Sequence, residues 1–276
     1  MRILTLYIIN AALFLITACS SCSEVPVSID EKPIKTLNVD SLGKFGQGTV
    51  QKDLYYTILL ENYPENDLGW HGKSVSYLKR GNLSEGFRCL NRAVELNPVN
   101  NLGYRGWVKL YMFHDYDGAL SDFKRLDSLT PSVQDAPWGE DICKLMGICY
   151  LELGEFKNAL MSFKQAISET ERTVGSDWIE QRTLFYYSVA LRKVGEIDQA
   201  LESINNLLEK DPSYPEALFE KASLLQNNDM TLALNLLDSC ERNMHEQNTN
   251  PYFELPLQLY QSDIDQLKKH IKNNEN

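Results

Sequence analysis

The stretch that decides the fold runs from Trp70 to Pro98 and reads WHGKSVSYLKRGNLSEGFRCLNRAVELNP. On both sides of Gly81, apolar and small residues recur three or four positions apart, which predicts two short amphipathic helices joined by a turn. The closing proline ends the second helix, because proline disfavours helical geometry in the residue before it. One such pair is too small to bury its own apolar face, so further copies are expected along the chain.

Prolines recur at a fixed spacing on both sides of this unit. Pro64, Pro98 and Pro131 lie 34 and 33 residues apart, and Pro212 lies 81 residues further on. Eighty-one is two periods of 34 plus 13, and two insertions, residues 134–139 and 174–180, supply the 13. Glycines in the predicted turns keep the same register: Gly81, Gly154 and Gly195. A fixed period of this length predicts a stack of helix pairs.

Five units fit the period, and they begin at Asp67, Asn101, Glu140, Gln181 and Pro215. The eighth position of each unit is mostly small: Ser74, Val108, Gly147, Ser188 and Ala222. The second helices repeat a small residue at Gly86, Ala119, Ala159, Ala200 and Ala233. Four positions later an apolar residue follows: Leu90, Phe123, Phe163, Ile204 and Leu237. Small residues are expected where two helices cross closely, and the large ones between them.

This pattern resembles the tetratricopeptide repeat, whose signature is a 34-residue helix–turn–helix. The resemblance covers Asp67 to Glu241, and the segment from Trp70 to Pro98 matches it best. Val108 stands where the family has a small residue, and no proline closes the third unit at Glu171. The resemblance implies an all-α, right-handed α-solenoid of five helix pairs, here spanning residues 67–250.

Two flanking segments complete the predicted solenoid. Residues 49–66 resemble a lone second helix that turns Tyr56 and Leu59 inward. Residues 251–276 contain a predicted helix, Pro256–Lys272, with apolar residues at Leu257, Tyr260, Ile264, Leu267 and Ile271. Its other face is polar, as the end of a solenoid requires, so we interpret it as a capping helix rather than a partner-binding one.

The first nineteen residues resemble a bacterial lipoprotein signal. Met1 and Arg2 precede the apolar run Ile3–Ile16, which is short for a permanent membrane span. The run closes with Ile-Thr-Ala-Cys, similar to the motif in which the cysteine is lipidated. An ordinary cleaved signal or an uncleaved anchor would leave the position of Cys19 unexplained. We predict a signal peptide at residues 1–18, a lipid on Cys19 and a flexible tether at residues 19–48.

Charge and flanking residues suggest a location. The net charge of −11 disfavours nucleic-acid binding and attraction to anionic lipid, so the lipid on Cys19 would hold the protein at the membrane. Ser20 is not the aspartate that retains enteric lipoproteins at the inner membrane, which favours the outer membrane. Only Glu24 lies near the cysteine, where surface-exposed lipoproteins carry an acidic run. The periplasmic face is therefore favoured over the cell surface.

Residues that could carry chemistry are scattered. His71, His114, His245 and His270 lack the spacing of zinc ligands, and no serine or cysteine has a recognisable nucleophile motif around it. Cys143 and Cys240 fall at repeat core positions and are expected to be buried as small apolar residues. We predict a protein that is not an enzyme and that uses no cofactor and no metal.

In the family, first helices line a concave groove, and positions 2, 5, 9, 12 and 13 point into it. Here these positions hold seven basic and three acidic residues, a balance of +4. The predicted partner-binding set is His71, Lys79, Arg105, Lys109, Phe113, Lys144, Arg182, Phe185, Arg192 and Phe219. Arg105 and Lys109 lie one helical turn apart and should project into the same stretch of groove. An extended acidic segment would suit this strip, unless the charges merely solvate a helix face.

Two functions follow from this interpretation. The leading one is a membrane-tethered scaffold that holds an extended segment of a protein partner in its groove. The alternative is a lipoprotein that captures a ligand or glycan beside an outer-membrane transporter. Trp138 and Trp178, one in each insertion, could anchor a partner, but we expect each to extend the following helix and pack back on it.

Overall fold

The computed structural model describes residues 45–131, 134–247 and 249–274, and in these residues it contains twelve α-helices and no strand. The helices are α1 Val50–Asn62, α2 Asp67–Leu78, α3 Leu83–Leu96, α4 Pro98–Val108, α5 Tyr116–Leu129, α6 Ile142–Glu152, α7 Phe156–Thr173, α8 Gln181–Val194, α9 Ile197–Lys210, α10 Pro215–Leu225, α11 Met230–Asn243 and α12 Gln261–Asn274. The prediction of an all-α repeat array is confirmed.

The helices pack as consecutive antiparallel pairs. Five pairs, α2/α3, α4/α5, α6/α7, α8/α9 and α10/α11, form the repeat units, while α1 packs on α2 and α12 packs on α11. Short polar side chains begin several of the helices, because they accept a hydrogen bond from a main-chain N–H that has no partner inside the helix. These caps are Thr49, Asn66, Asn82, Asn97, Asp115, Asp141 and Asp229.

The interior of each pair follows the repeat. The small and apolar residues predicted on the second helices are all buried, and nine of them have no exposed surface: Leu90, Ala119, Phe123, Ala159, Phe163, Ala200, Ile204, Ala233 and Leu237. In the third unit the ring of Phe163 lies within 2.6 Å of where a Cβ on Gly147 would stand. The eighth position must therefore be small there, since any side chain would collide with the aromatic ring.

The second unit departs from the predicted register. Helix α4 begins at Pro98, three residues before the predicted Asn101, and continues into a π-helical turn over Lys109–Phe113. Gly106, and not Val108, meets the ring of Phe123. A π-turn closes i→i+5 hydrogen bonds instead of the i→i+4 bonds of an α-helix, so a register counted at the α-helical period fails across it.

The C-terminal helix also starts later than predicted. Helix α12 begins at Gln261, and its residues Ile264 and Ile271 are fully buried, as expected of a capping helix. Leu257 and Tyr260 lie before it and are 38% and 47% exposed, so they do not belong to its apolar stripe. Pro256 is not the first residue of a helix but part of an irregular stretch, residues 249–260, which we call the groove loop.

Residues 1–44 lie outside the described part of the chain. The predicted signal peptide, the lipidation site Cys19, and Cys22 and most of the predicted tether fall in that region. Within the described residues, no helix combines the length and the apolar character needed to cross a bilayer.

Candidate functional site

The five first helices, α2, α4, α6, α8 and α10, form a row, and polar side chains link neighbouring units along it. Asn101 of α4 donates to Asp67 of α2 at 3.1 Å. Lys144 of α6 reaches Glu180, directly before α8, at 2.6 Å. Arg192 of α8 bonds both carboxylate oxygens of Glu220 in α10, at 2.7 and 3.0 Å. These links hold the first helices side by side.

The groove loop lies against this row. Its contacts reach three first helices: Tyr252 packs under the ammonium of Lys79 at the end of α2, Phe253 packs on α4, and Pro256 accepts a hydrogen bond from α8. The two ends of the loop meet, because Gln247 Nε2 donates to the carbonyl oxygen of Leu259 at 3.0 Å. The chain thus leaves α11, passes along the groove and returns to the position of Gln247, close to where the loop began.

Phe253 occupies an aromatic pocket. Its ring centroid lies 5.3 Å from Trp107, edge to face at 87°, and 5.3 Å from Tyr111. Edge-to-face and tilted rings at this spacing attract each other beyond the effect of burial alone. Phe253 is therefore the anchor of the loop, and Trp107 and Tyr111 form its receptor.

One carboxylate holds both walls of this pocket. Trp107 Nε1 donates to Glu140 Oε1 at 2.9 Å, and the Tyr111 hydroxyl donates to Glu140 Oε2 at 2.9 Å. Lys144, whose side chain is 2% exposed, lies 2.7 Å from the same carboxylate. Burial alone would raise the pKa of Glu140, but Lys144 and the two aromatic donors outweigh it and hold that pKa below its ordinary value. A charged Glu140 consequently orients both rings.

The π-turn aims the next contact. Tyr111 lies within it, and it ends at His114, whose backbone is left-handed with φ of 51°. His114 Nε2 lies 3.2 Å from the carbonyl oxygen of Glu254, which can only accept, so this nitrogen carries the proton. An irregular turn thus places an aromatic wall and a hydrogen-bond donor on one side of the loop, as π-turns often do at functional sites.

The far wall belongs to α8. Tyr186 is 1% exposed, and its hydroxyl donates to the Pro256 carbonyl oxygen at 2.9 Å. Burial raises the pKa of Tyr186 far above its ordinary value, so the hydroxyl stays a donor. Clefts of about 210 and 220 Å³ remain on either side of the loop, the first beside Trp107 and Glu180, the second beside Phe185 and Phe219.

Arg105 and Lys109 are adjacent as predicted, but they do not project freely into the groove. Both turn to Asp122 on α5: Arg105 binds its two carboxylate oxygens at 2.6 and 2.8 Å, and Lys109 Nζ lies 2.8 Å from Oδ2. Asp122 is 3% exposed. The count of groove charges missed this residue because it covered first-helix positions only.

Other predicted basic residues also have internal partners. Lys144 is held between Glu140 and Glu180, Arg192 binds Glu220, and Arg182 hydrogen-bonds Tyr214. Arg105, Lys109, Lys144, Arg182 and Arg192 are therefore engaged by groups of this chain, which weakens the case for an acidic partner. The predicted phenylalanines are also packed. Phe185 is 7% exposed, and Phe219 packs on the buried cluster that contains Leu237 and Ile264. The ring centroid of Phe113 lies 5.3 Å from that of Phe87. That the ten predicted residues contact a partner stays a prediction.

His71 is half-buried and takes part in a polar link between α2 and α4. Its Nδ1 lies 3.0 Å from Asn101 Oδ1, and the amide nitrogen of Asn101 already donates to Asp67 and to the carbonyl oxygens of Ala93 and Asn97. The amide oxygen must then accept, so His71 carries its proton on Nδ1. Burial lowers the pKa of His71 and keeps the ring neutral.

The two insertion tryptophans do not extend the helices that follow. Each lies in a 3₁₀ turn, Pro137–Gly139 or Ser176–Trp178, ahead of α6 or α8. Trp138 packs instead on the preceding unit, 4.6 Å from Tyr104 and 6.1 Å from Trp107, and remains 53% exposed. Trp178 is 74% exposed. Extended backbone separates each turn from the helix that follows: Glu140 after the first turn, and Ile179 and Glu180 after the second.

Sequence reasoning missed the receptor for Phe253. Trp107 and Glu140 lie 33 residues apart and Tyr111 and Glu140 lie 29 apart, which is close to one repeat, so the inter-unit contact could have been inferred from the period. Asn250-Pro251 followed by two aromatic residues also marks a break in the helical pattern. The sequence interpretation assigns the residues from Pro251 onward to the capping-helix segment, residues 251–276, instead of to a loop.

Metal ligands and reactive thiols are the other chemical groups that a site could use. Among the described residues, no group of three or more His, Cys, Asp or Glu side chains is placed to hold a metal. Cys89, Cys143, Cys149 and Cys240 are buried free thiols, and burial raises the pKa of Cys143 and of Cys240 to about 12. At neutral pH these four are packing residues.

Comparisons with known proteins agree with the fold. Residues 141–172, which cover α6 and almost all of α7, match the family model described as "Tetratricopeptide repeat". No protein of curated function matches the sequence. The solved structure of YrrB, a TPR protein with an unusual peptide-binding site, is 18% identical with a TM-score of 0.56, covering 79% of this chain and 97% of YrrB.

Two further solved structures share the architecture. MamA from Desulfovibrio magneticus RS-1 is 15% identical with a TM-score of 0.55, covering 66% of this chain and 97% of that one. PilW, a type IV pilus biogenesis factor, is 13% identical with a TM-score of 0.52, covering 71% of this chain and 83% of that one. At these identities the likeness shows a tetratricopeptide-type helical array.

Proposed function

We propose that this protein is a scaffold whose groove binds a segment of a protein partner. The observation that carries the proposal is the groove loop, because an irregular stretch of polypeptide lies against three first helices and is held there by aromatic packing and main-chain hydrogen bonds. A surface that takes such a stretch from its own chain has the shape and the donors to take one from another protein.

Two further observations support a binding role. The groove offers an aromatic pocket and hydroxyl and imidazole donors, which suit a peptide. The similarly folded YrrB is described as having a peptide-binding site. Neither observation names the partner.

We further propose that a lipid on Cys19 tethers the scaffold to a membrane of the bacterial cell envelope, on the periplasmic face of the outer membrane. The support is the apolar run that ends in Ile-Thr-Ala-Cys at residues 16–19, followed by Ser20. We expect Cys19→Ser to move the protein from the membrane fraction to the soluble fraction. Retention of this variant on membranes after a high-salt wash would contradict lipid anchoring.

Co-purification from detergent-solubilised membranes tests the binding function. Wild type should bring down a protein in stoichiometric amount, and Trp107→Ala should recover less of it, because the variant removes one wall of the pocket. Trp178→Ala is the matched control, since the same residue type is 74% exposed there. Circular dichroism verifies that both variants stay helical. A bound glycan with no protein partner would instead favour the ligand-capturing alternative.

A further inference from the structure

We propose that the groove loop is an internal competitor, and that a partner enters the groove by presenting the same chemistry, an aromatic residue followed two and three positions later by leucine and proline. This inference rests on the proposed function and specifies what the groove recognises. It replaces the acidic segment expected from the count of charges with an apolar and aromatic one.

The contacts of the loop define the recognised pattern. Phe253 fills the pocket between Trp107 and Tyr111. Leu255 packs against the main core, and Pro256 is buried with its carbonyl oxygen held by Tyr186. Glu254, between them, is exposed; its main-chain oxygen lies within hydrogen-bond distance of His114, and its side chain hydrogen-bonds Tyr260 within the loop itself. The pattern is therefore Phe-x-Leu-Pro, with x marking the exposed middle position.

The loop can leave the groove without unfolding the array. Gln247 and Leu259 are joined at the neck of the loop, so both ends stay in place when the residues between them move. Beyond the neck, α12 packs on α11, and its Ile264 and Ile271 share a buried cluster with Leu237 of α11. Leaving would uncover the aromatic pocket and leave the five helix pairs intact.

Strain is concentrated around the loop. Among the described residues other than glycine, three have left-handed backbone: His114 at φ 51°, Trp138 at φ 55° and Leu257 at φ 53°. His114 hydrogen-bonds the loop, Trp138 packs beside Trp107, and Leu257 is in the loop itself. Such backbone costs free energy and collects at binding sites and switches, where the surroundings hold it in place.

The loop is also incompletely packed. Tyr252 and Leu257 are 59% and 38% exposed, and the clefts of about 210 and 220 Å³ flank the loop on both sides. A partner with bulkier residues next to the same Phe-x-Leu-Pro core could fill these clefts and so outcompete the loop.

An internal ligand weakens the apparent binding of an external one. A short tether gives the loop a local concentration on the order of millimolar. An external peptide with the same sequence must compete against that concentration, so wild type should bind it weakly. Weakening the loop's own anchor should then strengthen binding of the peptide, whereas weakening the receptor should abolish it.

Fluorescence anisotropy with a labelled synthetic peptide of residues 250–258, NPYFELPLQ, tests this. The full chain carrying Phe253→Ala should bind the peptide at least about tenfold more tightly than wild type. Met161→Ala is the control, because that apolar side chain is 68% exposed on the second helix α7 and lies outside the groove loop, and it should match wild type. The chain carrying both Phe253→Ala and Trp107→Ala should lose binding, as should a peptide whose phenylalanine is replaced by alanine.

A second variant guards against misfolding of the first. Replacing residues 250–257 by a short Gly-Ser linker keeps the neck closed and should also bind the peptide more tightly than wild type. Equal binding by wild type and both variants would overturn the inference, as would a dimer formed by exchange of loops in sedimentation. If the variants bind the peptide more tightly and no protein co-purifies from membranes, the proposed scaffold function is wrong, while competition by the groove loop is supported. If a partner co-purifies but the variants bind the peptide no better, the competition fails alone.

Discussion

The interior of the third helix pair and the Phe253 pocket are built by opposite means. Between α6 and α7, a glycine meets an aromatic ring, and the buried positions of Ala159 and Phe163 recur in the other units. In the pocket, a π-turn, a left-handed histidine and a loop from the far end of the chain meet once. The first arrangement builds the scaffold, and the second marks one place along the groove.

The comparison teaches where specificity can reside. A repeated interior is copied from unit to unit, so it cannot by itself mark one place along the groove. The pocket marks one place because Glu140 orients Trp107 and Tyr111 only there. Changes in the interior should therefore affect stability, and changes in the pocket should affect binding with smaller effects on stability.

The largest expected loss of stability comes from Asp122→Ala, inside the second pair. The change leaves Arg105 and Lys109 without their shared carboxylate. Removal of one partner from a buried ion pair costs about 3–5 kcal/mol, and we expect the lower end because both cations can reach water. Urea denaturation followed by circular dichroism measures it.

Glu85→Ala provides the control for this loss. Glu85 pairs with Arg88 on the surface of α3, where the two side chains are 43% and 61% exposed. An exposed pair contributes about 0–1 kcal/mol. If Asp122→Ala costs no more than Glu85→Ala, the interior charges are not a structural unit, and Arg105 and Lys109 become available to a partner again.

An intermediate loss is expected from Ala159→Leu in the third pair. Ala159 has no exposed surface where α7 packs on α6, so the larger side chain should overpack the crossing and cost about 1–3 kcal/mol. Lys157→Leu, two residues earlier and exposed, should be nearly neutral. Equal shifts in the thermal midpoint of the two variants would show that the repeat does not define the interior.

The interior could be predicted because the information that builds it is local. Leu90, Phe123 and Phe163 lie at a spacing that any α-helix converts into one face, and the period of the prolines aligns the units. The sequence pattern places Pro98 at the end of a second helix and Pro215 at the start of a unit. In the structure both residues begin a first helix, where proline is favoured.

The pocket could not be predicted in the same way. The π-turn over Lys109–Phe113 shifts the repeat register, and helix propensities do not predict such a turn. The contact between Phe253 and Trp107 joins residues that lie 146 positions apart in the sequence. Charges were misjudged for a related reason. Asp122 pairs with Arg105 from a second helix, and Glu220 pairs with Arg192 from the first helix α10, at a position that is not one of the family's groove positions.

The smallest expected effect is a change in the pH dependence of stability caused by a substitution in the pocket. Glu140→Gln should cost on the order of 1 kcal/mol at neutral pH, near the net value of one hydrogen bond, because Lys144 keeps Glu180 as a partner. In the wild type, the lowered pKa of Glu140 adds stability above its ordinary value of 4.5. That stability disappears as the pH falls through the folded-state pKa. Glutamine does not titrate, so the gap between the two proteins should narrow in acid.

Glu152→Gln should show the opposite sign. Burial raises the pKa of Glu152 above its ordinary value of 4.5, with a smaller opposing influence from His114, so the folded wild type loses stability as the pH rises through that range. The glutamine variant avoids this loss and should gain on the wild type toward neutral pH. Thermal melts of the three proteins from about pH 3 to about pH 7 measure both trends. If the two variants shift in parallel with pH, then Glu140 is not held ionised beneath Trp107 and Tyr111, and the receptor for Phe253 is oriented by packing alone.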